Sequence, residues 1–425
     1  MPILTHIPLN RPLIIAPWLP WPTGGGIELR VGQTVAGLAS RMKAGIATLT
    51  ARPRPVPPPV EIRSWESPVT RLGDPHVARS EALRWLRDPD GHPSDVFWSE
   101  EAEATMERAL EEFDPDVVVL DSLLSRRALP LVRAAGRPVI YNAHNHEARL
   151  SRALVGNAFG AAGPTVLTER INEHTERVEE ALVGGADQLW VCSERDADAF
   201  REDYERCPPV RVVPNGVELG PITADAHDAG APTVLFPGVL SYPPNQEAAL
   251  FLVREVFPLV REKVAGARLV VLGAEPPREL LEASRDDESI EVTGAVEDAQ
   301  PYFRRASVLP VPLFSGSGTR YKILEAFAAG VPVVSTAKGI EGIDARPGED
   351  YLPAETGAEF AAAIERLCER QELRAELRKR GRELVERRYS QQVVADRMVE
   401  AIAELGGDRG SAPSDPRRAA TPRGG

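Results

Sequence analysis

The sequence has few cysteines and few aromatic residues, and it contains no long apolar run. Its three cysteines, Cys192, Cys207 and Cys368, stand far apart in a chain of 425 residues. This spacing argues against both a disulfide framework and a zinc-ligand cluster. No stretch approaches the roughly 18 apolar residues of a membrane-spanning helix, and the N-terminus lacks the basic region of a signal peptide. We therefore expect a cytoplasmic protein, and we leave open a peripheral contact with a membrane surface.

Lysine is also scarce, and acidic residues outnumber basic ones by 63 to 50. The net charge of −13 argues against a nucleic-acid partner, because such a partner requires a surface that neutralises phosphates. Only five of the 50 basic residues are lysine. Apolar residues, in contrast, make up 43% of the chain. That is enough, over this length, to bury the cores of two or three domains.

Short apolar runs alternate with helical patterns along the whole chain. We predict strands at 12–17, 117–120, 138–141, 188–192, 233–236, 268–272, 290–292, 308–311 and 332–335. We predict helices at 27–43, 123–135, 193 onward, 245–264, 277–284, 299–305, 321–329, 358–386 and 390–405. This alternation is typical of α/β proteins with parallel sheets and right-handed crossovers.

The strand and helix pattern divides into two halves. Turn residues and low apolarity cluster at 212–231, which we interpret as an interdomain hinge. We predict one domain over residues 11–220 and a second over 231–388. The helix at 390–405 would cross back to complete the first domain, and 406–425 would form a disordered tail. Ligands of open α/β sheets bind beyond the carboxyl ends of the strands, so we expect the site in the cleft between the two domains.

The most informative segment is PLFSGSGTRYKILEAFAAGVPVVST at 312–336. It is predicted to form a strand, a glycine-rich loop and a helix whose N-terminus offers unpaired amides to an anion. Arg320 and Lys322 lie in the first turn of this helix, where cations are unfavourable unless an anion is present. Glu325 follows one turn later on the same face as Lys322. Amides, cations and a carboxylate for hydroxyl groups together predict a site for a nucleotide diphosphate.

This segment resembles the donor-binding segment of family-four glycosyltransferases with the GT-B fold, in the subgroup that carries GSGTR-x-K-x-LE. The resemblance extends to FPGVLSYPPNQEAALFL (236–252), VPNGVEL (213–219), YNAHNHE (141–147), the PTGGG loop and the SQQVVADRM helix. It implies two Rossmann-like, doubly wound parallel-sheet domains facing a cleft. It also implies that a sugar is transferred from a nucleotide-diphosphate sugar with retention of configuration, without a cofactor or a divalent metal.

The resemblance assigns roles to individual residues. Glu325 matches the second glutamate of the family's E-x7-E motif, which holds the ribose, whereas Ser317 stands where the first glutamate is expected. The family's Arg…Lys pair after Gly238 is absent, so Arg320 and Lys322 are expected to hold the diphosphate. The implied donor-binding set is Gly24, Gly25, Gly26, Gly238, Ser317, Gly318, Thr319, Arg320, Lys322 and Glu325. The implied catalytic set is His144, Arg320, Lys322 and Glu325.

Other cleft candidates come with alternatives. His144 matches the family histidine that contacts the donor sugar, and His146 competes for this role. Arg30 and Glu147 are further candidates on the first domain. Glu341, Tyr242 and Asn245 are candidates on the second, although Asn245 is equally well explained as a helix N-cap. Asp114-Pro115-Asp116 fits the D-x-D pattern of metal-dependent transferases, but it precedes its strand, at the wrong end for the cleft.

Three functions remain open from the sequence. The first is a retaining glycosyltransferase that uses a UDP- or GDP-sugar and acts on a glycolipid, polysaccharide or natural product. The second is a sugar-nucleotide epimerase of the same fold. The third, motivated by Ser317, is a non-catalytic partner that only binds nucleotide sugars. Binding of a nicotinamide dinucleotide is a weaker alternative, because GGG is not the G-x-G-x-x-G pattern.

Overall fold

A computed structural model describes residues 9–22, 25–51, 58–68, 85, 88, 90–159, 165–222, 231–316 and 320–408. Gly24, Ser317, Gly318, Thr319 and most of the predicted tail lie outside these residues. The first half forms a seven-stranded, fully parallel sheet with the order β3-β2-β1-β4-β5-β6-β7. Its strands are β1 (Pro12–Ala16), β2 (Gly45–Thr48), β3 (Arg63–Glu66), β4 (Val117–Asp121), β5 (Val139–Asn142), β6 (Gln188–Val191) and β7 (Val210–Val212).

The second half forms two parallel three-stranded sheets, β10-β9-β8 and β11-β12-β13. A bridge between Val234 and Val308 links them side by side. Each half therefore follows the strand order of the Rossmann fold, with a reversal beside its first strand. The strands are β8 (Thr233–Pro237), β9 (Arg268–Leu272), β10 (Ile290–Val292), β11 (Leu309–Val311), β12 (Val333–Ser335) and β13 (Leu352–Pro353).

Helices connect the strands in both halves. They are α1 (Gly26–Ala39), α2 (Glu100–Phe113), α3 (Leu129–Ala134), α4 (Glu147–Phe159), α5 (Val166–Gly185), α6 (Glu194–Asp203), α7 (Pro243–Phe251), α8 (Phe257–Lys263), α9 (Arg278–Asp286), α10 (Gln300–Arg305), α11 (Tyr321–Ala329), α12 (Gly357–Glu369), α13 (Gln371–Arg388) and α14 (Gln391–Asp408). Among the described helices, none is both long and apolar enough to cross a bilayer.

Both faces of the first sheet are buried at its five central strands, which explains their continuous apolar sequences. Leu13 and Ile15 of β1 belong to one core cluster, whereas Ile14 and Ala16 belong to the cluster on the other face. Successive strand side chains point to opposite faces, so an unbroken apolar run is what a sheet covered on both sides requires.

The C-terminal helix α14 packs against the first domain. Val394, Met398 and Ile402 are fully buried in the same core cluster as β1. A side chain at Gly37 of α1 would meet Met398 at 3.3 Å, so the two helices cross closely. The helix continues to Asp408, and the predicted start of the tail at residue 406 is therefore too early.

Several predicted boundaries are corrected by the structure. The single helix expected at 358–386 is two helices, broken at Arg370, whose backbone is extended (φ −105°, ψ 92°). No glycine or proline marks this break. The two helices pack on different partners, α12 on α8 and α13 on α11. The helix expected at 245–264 is α7 and α8 joined by a π-helical turn, Leu252–Val256. The segment 123–135 begins as a 3-10 helix, Leu123–Ala128.

Candidate active site

The polar residues of interest lie at the carboxyl ends of the strands in both domains, and these two edges face each other. Tyr321 of α11 and Gln33 of α1 approach to 3.4 Å between Oη and Oε1. Arg195, in the first turn of α6, forms an ion pair with Glu341 of the second domain at 2.6 Å. These contacts enclose a cleft between the domains.

Lys322, the second residue of α11, lies deep on the second-domain side of this cleft. Its Nζ donates to Asn245 Oδ1 at 2.9 Å and lies 4.2 Å from the centre of the Phe236 ring. The side-chain Nδ2 of Asn245 donates to the carbonyl of Val239 at 2.9 Å, and this hydrogen bond fixes the orientation of the amide. Burial, together with the charge of Arg320, lowers the pKa of Lys322 to about 7. Among the described residues, no carboxylate is hydrogen-bonded to this amine, whose position is fixed by Asn245.

Gly238 follows β8 and forms the floor beneath Lys322. A side chain at this position would begin 2.9 Å from Asn245 and 3.0 Å from Lys322 Nζ. Only glycine leaves the lysine this close to the backbone. The observation gives a physical reason for the glycine in the FPG sequence that ends the strand.

Arg320 is the N-cap residue of α11 and is buried. Its Nη2 lies 3.4 Å from the carbonyl of Ser315, and burial lowers the pKa of its guanidinium, partly opposed by Tyr242 and Glu341. Gly316 precedes it with φ +92°, a conformation that favours glycine. The two cations expected from the sequence therefore both lie at the N-terminus of one helix, with their side chains directed inward.

Glu325 lies one turn further along α11. Burial raises the pKa of its carboxyl, and the charge of Lys322 opposes that shift. The carboxylate is thus close enough to Lys322 to interact with it. A cation followed by a carboxylate along one helix face provides partners for a phosphate and, beyond it, for hydroxyl groups.

His144 lies on the opposite wall, in the loop after β5. Its Nε2 is 2.5 Å from Oδ1 of Asp121, a fully buried carboxylate at the end of β4. His146, the competing candidate, lies away from the cleft between Glu179 (3.3 Å) and Asp203 (3.0 Å). Its ring also stacks on Phe200 at 4.4 Å. His144 thus lies beside the end of β4 at the carboxyl edge of the sheet, whereas His146 is enclosed by Glu179, Asp203 and Phe200.

Glu179 fixes the start of α4, immediately after this loop. Its carboxylate accepts the backbone amides of Glu147 and Ala148, both at 2.8 Å, and the hydroxyl of Tyr204 at 2.8 Å. The carboxylate therefore satisfies helix N-terminal amides that would otherwise be unpaired. Glu147 itself is half-buried. Burial raises the pKa of its carboxyl, and the negative charge of the neighbouring Glu179 raises it further.

Gly25 and Gly26 of the glycine loop lie at the start of α1, the helix that follows β1. Gly25 is the N-cap of α1 and Gly26 its first residue. A side chain at Gly26 would meet nothing within 4 Å, so the backbone here is open. The N-terminus of this 14-residue helix can therefore be approached closely by a negative group.

Some expected cleft residues have other positions. Arg30 is only 1% exposed and lies behind the cleft wall, so the expectation that it lines the cleft is wrong. Asn245 is not an N-cap, because Tyr242 occupies that position and Asn245 is the third residue of α7. Asp114 ends α2, and Asp116 accepts the amides of residues 10 and 11 at the opposite edge of the sheet.

Sequence reasoning missed Asp121 and Asn142, the last residues of β4 and β5, both fully buried. Their carboxylate and amide are joined by a 3.0 Å hydrogen bond. The available signal was a single short polar residue ending each apolar strand, VVVLD and VIYN. At the carboxyl edge of a parallel sheet such residues commonly face the ligand site.

Two family models match the chain. One, described as glycosyl transferases group 1, matches residues 231–370, and the other, a glycosyl transferase 4-like domain, matches residues 25–216. The two matches fall on the two halves of the chain described above and together cover most of it.

Individual relatives agree with the family models. The chain is 29% identical over 294 residues to a D-inositol 3-phosphate glycosyltransferase from Saccharomonospora viridis, covering 63% of this chain and 65% of the relative, just under two thirds of its length. It superposes on sucrose-phosphate synthase from Thermosynechococcus elongatus with a TM-score of 0.71 and 19% identity, covering 94% and 100% of the two chains. It superposes on the Anabaena protein Alr3699/HepE, solved with UDP-glucose, with a TM-score of 0.64 and 14% identity, covering 93% and 100%. The predicted GT-B fold, two Rossmann-like parallel-sheet domains facing a cleft, is confirmed.

Proposed function

We propose that the chain is a family-four glycosyltransferase, since two glycosyltransferase models together match most of it. From the geometry of its cleft, we further propose that it transfers a sugar from a nucleotide-diphosphate sugar to a hydroxyl acceptor with retention of configuration. The observation that carries the proposal is the pair Arg320 and Lys322 at the N-terminus of α11. Both groups are buried, and burial lowers the pKa of each. A bound diphosphate would relieve this cost, because an adjacent anion favours the charged form.

The remaining candidate residues are proposed to contact different parts of the donor from the two walls of the cleft. Glu325 is proposed to hold the ribose hydroxyls, and Gly238 lets the diphosphate approach Lys322. Ser317, Gly318 and Thr319 are proposed to contribute backbone amides to the diphosphate. His144 faces the donor from the first domain and is proposed to contact the sugar as the diphosphate leaves. Gly25 and Gly26, at the N-terminus of α1, are proposed to provide further amides to the phosphates, and Gly24 is proposed to contribute with them.

The proposed chemistry places no metal at the diphosphate, because two side-chain cations and helix amides stabilise the charge that develops on the leaving group. The acceptor hydroxyl would attack on the face that the diphosphate leaves, with the departing phosphate taking its proton. UDP-glucose is a suitable first donor, since a structural neighbour was solved with it. Inositol 3-phosphate is a suitable first acceptor, since the named activity of a relative uses it.

The first test measures hydrolysis and transfer of UDP- and GDP-sugars by the wild type and by Arg320→Ala. Loss of a donor to the developing oxyanion should cost about 3–4 kcal/mol, or about 10²–10³-fold in turnover. Arg304→Ala, on the exposed surface of α10, is the matched control and should leave turnover unchanged. Unchanged turnover in Arg320→Ala would contradict the proposed role.

Four further measurements separate this proposal from its alternatives. Proton NMR of the product identifies the anomer, and an inverted product would exclude retention. Turnover that survives EDTA supports the metal-independent step. Calorimetric binding of a nucleotide sugar without turnover, over acceptors that include inositol 3-phosphate and glycolipid vesicles, would instead favour a non-catalytic partner. Conversion of the free nucleotide sugar to its epimer would favour the epimerase.

A further inference from the structure

Arg30 is a charged residue buried where packing alone would favour an apolar one. It lies in the middle of α1 with 1% of its surface exposed. Burying a guanidinium costs several kcal/mol, and a well-packed apolar residue of similar volume is often at least as stable. Arg30 therefore calls for an explanation other than the stability of the first domain.

One side of the guanidinium leads to His144 through an unbroken line of hydrogen bonds. Arg30 Nη2 donates to Asn142 Oδ1 at 2.8 Å, and Asn142 Nδ2 donates to Asp121 Oδ2 at 3.0 Å. The other oxygen of Asp121 is the partner of His144 Nε2. The side-chain oxygen of Asn142 thus accepts from the guanidinium, and its nitrogen donates to the carboxylate. The two hydrogen bonds together fix the orientation of the amide.

The other side of the guanidinium leads to the segment between the domains. Arg30 Nη1 donates to the carbonyl of Pro214 at 3.0 Å and lies 3.3 Å from Asn215 Oδ1. Gln33, one turn later on α1, donates to the same Pro214 carbonyl at 2.9 Å and accepts the amide of Gly216 at 2.5 Å. The Pro-Asn-Gly turn is therefore held on three consecutive residues by two side chains of α1.

The geometry points to Arg30 as a positioning residue for His144. Through Asn142 and Asp121 it orients the imidazole, and through Pro214 and Asn215 it fixes that group relative to the interdomain segment. Gln33 extends the connection across the cleft, since the Tyr321 hydroxyl lies 3.4 Å from its Oε1. The expected effect on kcat rests on the proposed function. The orientation of His144 by Arg30 does not, because it can be observed without turnover.

The test combines NMR of the histidines with kinetics. The protein has seven histidines, which can be labelled with ¹⁵N. In the labelled protein, the Nε2 proton of His144 should be strongly deshielded and slow to exchange. It is assigned by its loss in His144→Gln. We expect Arg30→Met to remove or broaden this signal and to lower kcat about 10–100-fold, since small misplacements of a reacting group have effects of this size. The Kd for UDP-glucose should stay within about threefold, because Arg320, Lys322 and Glu325, which are proposed to hold the diphosphate and the ribose, lie on the other domain.

A double-mutant cycle tests the route. Asn142→Leu interrupts the line between Arg30 and Asp121, so the Arg30→Met/Asn142→Leu double variant should be no slower than the slower single variant. Effects that multiply would overturn the route through Asn142. Arg126→Met is the matched control, because Arg126 is a buried arginine of the same domain paired with Asp95. It should leave both the NMR signal and kcat unchanged.

The outcomes separate this inference from the proposed function. An unchanged His144 signal in Arg30→Met would overturn the inference. A lost signal with unchanged kcat would uphold the positioning and contradict the catalytic role of His144. If Arg30→Met does not fold, Arg30→Lys takes its place. The lysine keeps the charge but cannot reach Asn142 and Pro214 together, so the signal should again be lost, and its retention would overturn the inference.

Discussion

Lys322 should make donor binding depend on pH in the range around and above neutrality. Its pKa without a ligand is about 7, lowered first by burial and then by the charge of Arg320. A diphosphate placed against Nζ should raise this pKa again, because an adjacent negative charge favours the ammonium. The donor would then bind tightly to the protonated enzyme only, and binding above pH 7 would take up a proton.

The size of the effect follows from the fraction of enzyme that carries the ammonium. With a pKa of about 7, that fraction is about nine in ten at pH 6 and about one in thirty at pH 8.5. The Kd for UDP-glucose should therefore rise about thirtyfold over this range, equivalent to about 2 kcal/mol. The diphosphate of UDP-glucose has no ionisation in this interval, so the change reports the protein.

Calorimetry in buffers of different ionisation enthalpy measures both the affinity and the proton uptake. We expect uptake of about half a proton at pH 7 and nearly one at pH 8.5. Lys322→Arg should bind UDP-glucose with little dependence on pH, since arginine stays charged throughout. Lys263→Met, on the surface of the second domain beside Glu365, should keep the wild-type slope. A flat wild-type profile, or a steep one in Lys322→Arg, would refute the reasoning.

Three further variants test separate parts of the structure. Gly238→Ala should weaken binding of UDP-glucose at least tenfold without unfolding, because its Cβ would meet the lysine described above at 3.0 Å. Gly220→Ala, which meets nothing within 4 Å, should bind normally. Glu325→Gln should lose the preference for UDP over its 2′,3′-dideoxy analogue in competition assays, and a preserved preference would exclude the ribose contact. Glu179→Ala should lower the Tm by about 10 °C in calorimetric scans, because it leaves buried amides unpaired, whereas Glu202→Ala, with an exposed side chain, should change it little.

The fold was predictable because its information is local. The apolar runs of the second half give strands at Arg268–Leu272 and Ile290–Val292 with the predicted boundaries, and α11 is also as predicted. The strand β3 (RSWE) was missed because it lies at the sheet edge and buries only its tryptophan. Such a strand lacks the apolar pattern on which strand prediction depends.

For the candidate site, the sequence predicts which residues lie at the carboxyl edge of each sheet, but not which residues they contact. A parallel sheet brings the ends of its strands together, so the sequence indicates that His144 and α11 face the cleft. It does not indicate that Lys322 is paired with Asn245, 77 residues away, or His144 with Asp121, 23 residues away. These partners depend on how distant elements pack, and no spacing within one element encodes them.

The same limit explains why Arg30 was misplaced. Its position after the glycine loop indicates the cleft, but α1 turns that face inward onto Asn142 and the Pro214 carbonyl. Arg320 and Lys322 were easier to interpret because their placement is unfavourable in itself. Cations at a helix N-terminus oppose its dipole, and the structure adds burial, which lowers the pKa of both. The helix dipole and burial both disfavour these two cations when no anion is present, and a bound anion would relieve both effects. An anion site of this kind can therefore be predicted from the local sequence.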